Sequence, residues 1–145
     1  MARVEVDGLR DFNAELRRAG PGLTRHVRVA NRRVAEGVAE AARDRAESLG
    51  GVARKAAPAI KAGASETTAF VRLDGARFPW ALGAEFGSHR FRQFEPWRGN
   101  GWTDPEGIEI GYFLHPTIRE RTRSGEVLDA FDRELVEAFA RAFPD

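Results

Sequence analysis

Residues 78–116 read FPWALGAEFGSHRFRQFEPWRGNGWTDPEGIEIGYFLHP, and this stretch divides the chain. It holds all three tryptophans, the single tyrosine, four of the seven prolines, and Phe78, Phe86, Phe91, Phe94 and Phe113. On either side the sequence turns to Ala, Arg and Glu at helical spacing. Aromatic residues and turn formers gathered in one irregular region place the specific contacts there, because loops carry function on a regular scaffold. The flanks are that scaffold.

Working back toward the N-terminus, residues 66–73 (ETTAFVRL) are β-rich. Their alternation sets Thr68, Phe70 and Arg72 against Ala69, Val71 and Leu73, and Asp74-Gly75 then turns the chain. Residues 52–65 (VARKAAPAIKAGAS) predict a loop with a helical turn, since Pro58 interrupts any longer helix. Before them, Leu23, Val27, Ala30, Val34, Val38 and Ala41 form the apolar stripe of a long helix that starts at residue 22 or 23 and closes by Gly50-Gly51. Leu9, Phe12 and Leu16 predict a short amphipathic helix ending near Gly20-Pro21. Residues 3–7 (RVEVD) alternate as a short strand.

Inside the quoted stretch, residues 78–86 predict a helix-like turn. Residues 89–107 form a long irregular loop punctuated by Pro96, Gly99, Gly101, Pro105 and Gly107. Its aromatic content argues against disorder. Residues 108–114 predict a strand, and Pro116 stands where a helix starts. Leu128, Phe131, Leu135, Ala138, Phe139 and Ala142 then line a C-terminal helix, which Gly125 kinks or splits. The expected fold is α+β: a small antiparallel β-sheet of three or four strands packed against a long helix in the N-terminal half and a C-terminal helix. One domain over residues 1–145, with an extended loop at about 88–107, is the expected organisation.

The formal net charge is only +1, yet the charge is uneven. Residues 21–62 carry nine bases against four acids, a local +5, whereas residues 126–145 carry two bases against six acids, a local −4. One helix is basic and the last is acidic, so two copies, or two faces of one copy, attract each other. The absence of cysteine excludes disulfides and thiolate metal sites and fits a reducing compartment. No stretch reads as a signal peptide or approaches the ~20 apolar residues of a membrane helix.

Catalysis needs a constellation, and none stands out. His26, His89 and His115 are far apart in sequence. Glu85 and His89 are four apart, but an exposed or hydrogen-bonded histidine is the plainer reading of that spacing. Ser88-His89 adjacency is not nucleophile–base geometry. Gly99-Asn100-Gly101 lacks the strand–glycine–helix context of a phosphate cradle and reads as a turn. No catalytic residue, metal ligand or cofactor is therefore expected. A nucleic-acid interface has more support. Arg25, Arg28, Arg32 and Arg33 cluster on the long helix, and Arg90, Arg92 and Arg98 interleave with Phe91, Phe94 and Trp97, a mixture that stacks bases and pairs phosphates. The plainer alternative is a solvated helix face and an aromatic protein interface, since arginine and aromatics are also enriched where proteins meet.

Several features in order resemble a known family: the opening VEVDGLRDFNAELRRAG, the long helix, Ala57-Pro58, then Glu85-Phe86-Gly87-Ser88, then Gly111-Tyr112-Phe113-Leu114-His115-Pro116 and a last amphipathic helix. This order resembles the neck and tail-completion (minor tail component) proteins of long-tailed bacteriophages. The family's Gly-Leu, Glu-Phe-Gly-Thr/Ser and Phe-Leu-x-Pro elements fall on Gly8-Leu9, residues 85–88 and residues 113–116. Its Pro-x-x-Thr-Gly-x-Leu element is missing after Pro58, and residues 90–106 make a longer, tryptophan-rich connection than the family's usual one.

The resemblance implies a non-enzymatic virion protein that forms a ring, commonly sixfold, between the DNA-filled head and the tail tube. Its partners would be further copies of itself, the neighbouring connector and tail-tube proteins, and packaged DNA touched without sequence reading. It would pass from the host cytoplasm into the virion, with no membrane partner. A tail-terminator ring capping the tube is the near alternative, and a small nucleic-acid-binding module the alternative of another class. Glu85, Phe86, Phe91, Phe94, Trp97, Trp102 and Phe113 are the candidate protein-interface residues. Among these, the motif ends at 85–88 and 113–116 also serve as framework that places the loop. Arg25, Arg28, Arg32 and Arg33 are the candidate DNA-channel or inter-subunit contacts. Trp97 is expected to matter more to assembly than to folding.

Overall fold

A 29-residue helix, α1 (Pro21–Leu49), is the axis on which the other elements pack. The computed structural model describes residues 2–5, 21–102 and 104–142. The short helix expected over residues 9–20 lies outside them. After α1 come α2 (Gly51–Ala56), a 3₁₀ turn (Ala57–Ala59), β2 (Ile60–Ala64) and β3 (Thr68–Leu73). Then follow α3 (Ala81–Phe86), α4 (Leu114–Arg123) and α5 (Glu126–Ala142), with β1 (Ala2–Glu5) at the start. The three strands form one antiparallel sheet in the order β1-β3-β2, so β3 is central. The architecture is α+β, as the periodicities predict.

α1 buries more than the expected narrow stripe. Leu23, Val27, Ala30, Val34 and Val38 are buried, and so are Ala35, Ala39, Ala42 and Ala46. The stripe widens because the helix has the sheet against it on one side and α4 and α5 on the other. Alanine at the added positions lets both layers approach closely. Asn31 is also fully buried, and its amide donates to the Ser65 carbonyl at 3.0 Å, which ties the β2–β3 turn to α1. On β3, Ala69 and Val71 are buried while Arg72 is exposed, as alternation requires.

Two expectations fail for definable reasons. Residues 60–64 (IKAGA), read as part of a loop, are a strand. Their composition carries little β-propensity, and the pairing partner β3 supplies the structure. Gly63 lies opposite Phe70, whose ring would sit 2.3 Å from a Cβ at 63, so the aromatic ring covers the glycine across the sheet. Residues 108–114 are not a strand, despite alternating Ile108, Ile110 and Tyr112. The chain bends at Gly111 (φ +82°), and Leu114 already belongs to α4. Gly125 (φ +83°) does separate α4 from α5.

Candidate functional site

The site is built from a single carboxylate. Glu85, on α3, is completely buried. Its Oε1 accepts from the backbone N–H of Tyr112 (2.6 Å) and Phe113 (3.0 Å), and its Oε2 from Leu114 (2.7 Å) and His115 (3.2 Å). Leu114 and His115 open α4, whose first amide donors have no partner within the helix. The third residue, Pro116, has no N–H to satisfy, and Thr117 N–H begins the helical ladder at the Phe113 carbonyl. Every donor at this helix start is therefore accounted for. The positive end of the helix dipole also favours the anion there. Three amides of the expected strand, those of Tyr112, Phe113 and Leu114, are spent on Glu85, and that of Glu109 on Asp104, so they do not pair along a sheet.

The two motifs of the sequence are thus one structural unit. Gly87 (φ +80°) and Gly111 (φ +82°) are required by it. A Cβ at 87 would lie 2.2 Å from the Pro96 carbonyl oxygen, and one at 111 would lie 2.4 Å from Glu85 Oε1. His115 lies beside the carboxylate, with Nδ1 3.4 Å from Oε2, and its ring packs against Phe86 at 5.3 Å. That Nδ1 is buried and makes no hydrogen bond. Each Glu85 oxygen already accepts from two backbone amides.

From this anchor the loop over residues 88–111 is fastened at both ends. Ser88 N–H donates to the Glu95 carbonyl (2.9 Å), and Arg98 N–H to the Phe86 carbonyl (2.7 Å). The Tyr112 hydroxyl donates to the Pro96 carbonyl at 2.6 Å, and the Arg98 guanidinium stacks 4.1 Å over the Tyr112 ring. Arg119 on α4 donates to the carbonyls of Gly107 (2.9 Å) and Ile110 (2.6 Å). Burial, with the nearby Arg123 charge, lowers the Arg119 pKa, and Glu85 and Asp104 partly offset this. Along the loop, Ser88, Asn100 and Asp104 side chains accept backbone N–H groups and close successive turns. The segment is irregular and internally hydrogen-bonded.

The predicted interface residues separate into three groups. Glu85 and Phe113 are in the interior and carry the loop; placing them at a protein contact is corrected by their complete burial. Phe86, Phe94 and Trp97 are half-buried. The Trp97 ring packs against Phe86 (6.4 Å) and His89 (5.6 Å), and the Phe94 ring covers Gly83. Only Phe91 (56% exposed) and Trp102 (93% exposed) project outward. Ile108, which alternation places on a strand face, is also exposed. Two hollows flank the loop and share Arg98. One, of about 470 Å³, runs past Leu49, Val52, Ala84, Glu95 and Tyr112; the other, of about 450 Å³, runs past Trp97, Asp104 and Ile108.

The predicted arginine cluster also divides. Arg33 bridges to Glu134 (3.2 Å) and Glu137 (3.5 Å) of α5, so part of the attraction between basic and acidic helices is satisfied inside one chain. Arg25, Arg28 and Arg32 stay on the exposed face of α1. Among the described residues no cluster of His, Asp and Glu is arranged to hold a metal ion, and no helix is long and apolar enough to cross a membrane.

No family model, curated protein or solved structure matches the chain.

Proposed function

We propose that this protein is a structural, non-enzymatic component of a phage head–tail interface, a neck or tail-completion protein that assembles as a ring between the DNA-filled head and the tail tube. One observation carries the reading. A tryptophan-bearing loop is held by a buried carboxylate and by hydrogen bonds at both ends, yet it points Trp102 and Phe91 into solvent. Ordering such a loop beforehand removes the entropic cost of fixing it on contact, and exposed tryptophan is the residue type that dominates protein interfaces. The order of motifs supports the family resemblance, since the Glu-Phe-Gly and Tyr-Phe-Leu-His-Pro elements meet as one unit.

A tail-terminator ring shares the same features. The nucleic-acid module draws less support, because Arg98 and Arg33 are engaged within the chain. The mass of the purified protein is the test, taken alone and with the connector and tail-tube proteins of the same phage. A ring-sized species, or incorporation beside those proteins, is expected. A monomer that joins neither would overturn the reading.

A further inference from the structure

After the internal pairs are set aside, two oppositely charged faces are left over. On α5, Glu134 and Glu137 meet Arg33, and Glu126 meets Arg121 at 3.2 Å. Asp129 and Asp132 have no ion-pair partner among the described residues, and they lie on the outer face of the helix with Leu128 (56% exposed) and Val136 (69% exposed). This outer face is opposite the one that buries Val127, Phe131 and Ala138. On α1, Arg25 is likewise without an ion-pair partner among the described residues. It shares the exposed side of the helix with Val29 (38% exposed) and Arg32, at spacings of four and three. Among the described residues Arg32 holds only the exposed Glu36, and Arg28 reaches Glu66 at 4.0 Å. Exposed pairs of this kind are worth little and exchange readily.

We infer that the outer face of α5 on one copy docks on the outer face of α1 on the next, Leu128 and Val136 against Val29, with Asp129 and Asp132 toward Arg25 and Arg32. The occupant is a second copy of this chain because both halves of the complementary pair are present on it. Arg25, Arg28 and Arg32 surround Val29, with Glu36 beyond them on the same side, and Asp129 and Asp132 stand between Leu128 and Val136, with Arg133 at their margin; burial then supplies affinity and the excess charge partner choice. The two faces are different surfaces, so the contact is head-to-tail and closes into a ring when the rotation per copy permits. The inference rests on the ring reading and names the contact that would build it. It also assigns the Arg25–Arg32 face to a neighbouring subunit in place of the DNA channel.

Charge reversal tests it. Arg25→Glu with Arg32→Glu in one variant, and Asp129→Arg with Asp132→Arg in another, should each weaken self-association about tenfold or more by sedimentation, with thermal stability unchanged. The chain carrying all four reversals should assemble again, because the attraction is restored with opposite sign. Val136→Ser, which alters no charge, should weaken association on its own. Assembly of the wild type that none of these changes affects would overturn the docking and leave the ring reading standing. A wild type that is monomeric by itself would also overturn the docking, and the ring reading would then depend on incorporation beside the connector. Loss of duplex DNA binding without loss of assembly in the arginine variant would reassign that face to DNA.

Discussion

Glu85 and Gly111 fit each other: the α-carbon of Gly111 stands so close to the Glu85 carboxylate that a Cβ there would meet Oε1 at 2.4 Å. The glycine also adopts φ +82°, which L side chains avoid. Gly111→Ala therefore meets both a clash and a strained backbone, and a loss of about 2 kcal/mol or more is expected. Glu85→Ala removes the acceptor of four N–H groups and should cost more, on the order of 3–5 kcal/mol. The two losses should not add, because each destroys the same cradle. Urea denaturation of the single and double variants measures this; full additivity would mean the two residues act independently.

Tyr112 joins the cradle to the loop, so Tyr112→Phe isolates the fastening from the fold. It removes the bond to the Pro96 carbonyl and leaves the ring beneath Arg98. A global cost of about 1 kcal/mol is expected. The sharper sign is local. Amide exchange at Ser88 and Arg98, whose N–H groups bond Glu95 and Phe86, should accelerate more than exchange within α1. Uniform acceleration across the chain would mean that Tyr112 supports the whole core and not the loop in particular.

The scaffold was legible in sequence wherever one face of an element is buried. The Leu23–Val38 stripe, the alternation around Val71 and the break at Gly125 each report a periodic environment. β2 was not legible, since a strand of Ala, Lys and Gly is specified by its partner. The supposed strand over residues 108–114 misled because alternation records side-chain faces and says nothing of where the amides go. The amides of Tyr112, Phe113 and Leu114 go to a glutamate 27 to 29 residues earlier in the chain. The surface was half legible. The loop's aromatics are readable as a group, but which of them points outward depends on packing, and Trp97 turns in where Trp102 does not.

Arg45 and Glu120 form a two-bond ion pair between α1 and α4, at 2.8 and 3.0 Å. The Arg45 hydrogen bond and charge lower the Glu120 pKa below its ordinary 4.5. A depressed carboxylate contributes stability that is present above the unfolded-state value and is lost as pH falls through the folded one. Glu120→Gln should therefore lower the melting temperature slightly at pH 7, and the gap to wild type should close in acid, below about pH 4.5. The pair is exposed, so the effect is small and shrinks with salt. A gap that widens on acidification would contradict the assignment.

Trp102 and Phe113 should separate assembly from folding. Phe113 is fully buried in the core, and Phe113→Ala should cost about 3–5 kcal/mol. Trp102 is 93% exposed and its ring has little to lose within the monomer, so Trp102→Ala should leave stability within about 0.5 kcal/mol. If the loop is a docking element, the same change should cost the interface far more, because a tryptophan that becomes buried against a partner is commonly worth about 2 kcal/mol or more. Trp97→Ala should fall between the two, since Trp97 packs on Phe86 and His89 and its loss disturbs the loop from beneath. Melting temperature and incorporation beside connector and tail-tube proteins, measured on the three variants together, give the ordering. Assembly that survives Trp102→Ala intact but fails in proportion to lost stability in the other two would remove the loop from the interface and move the contact to the helical faces.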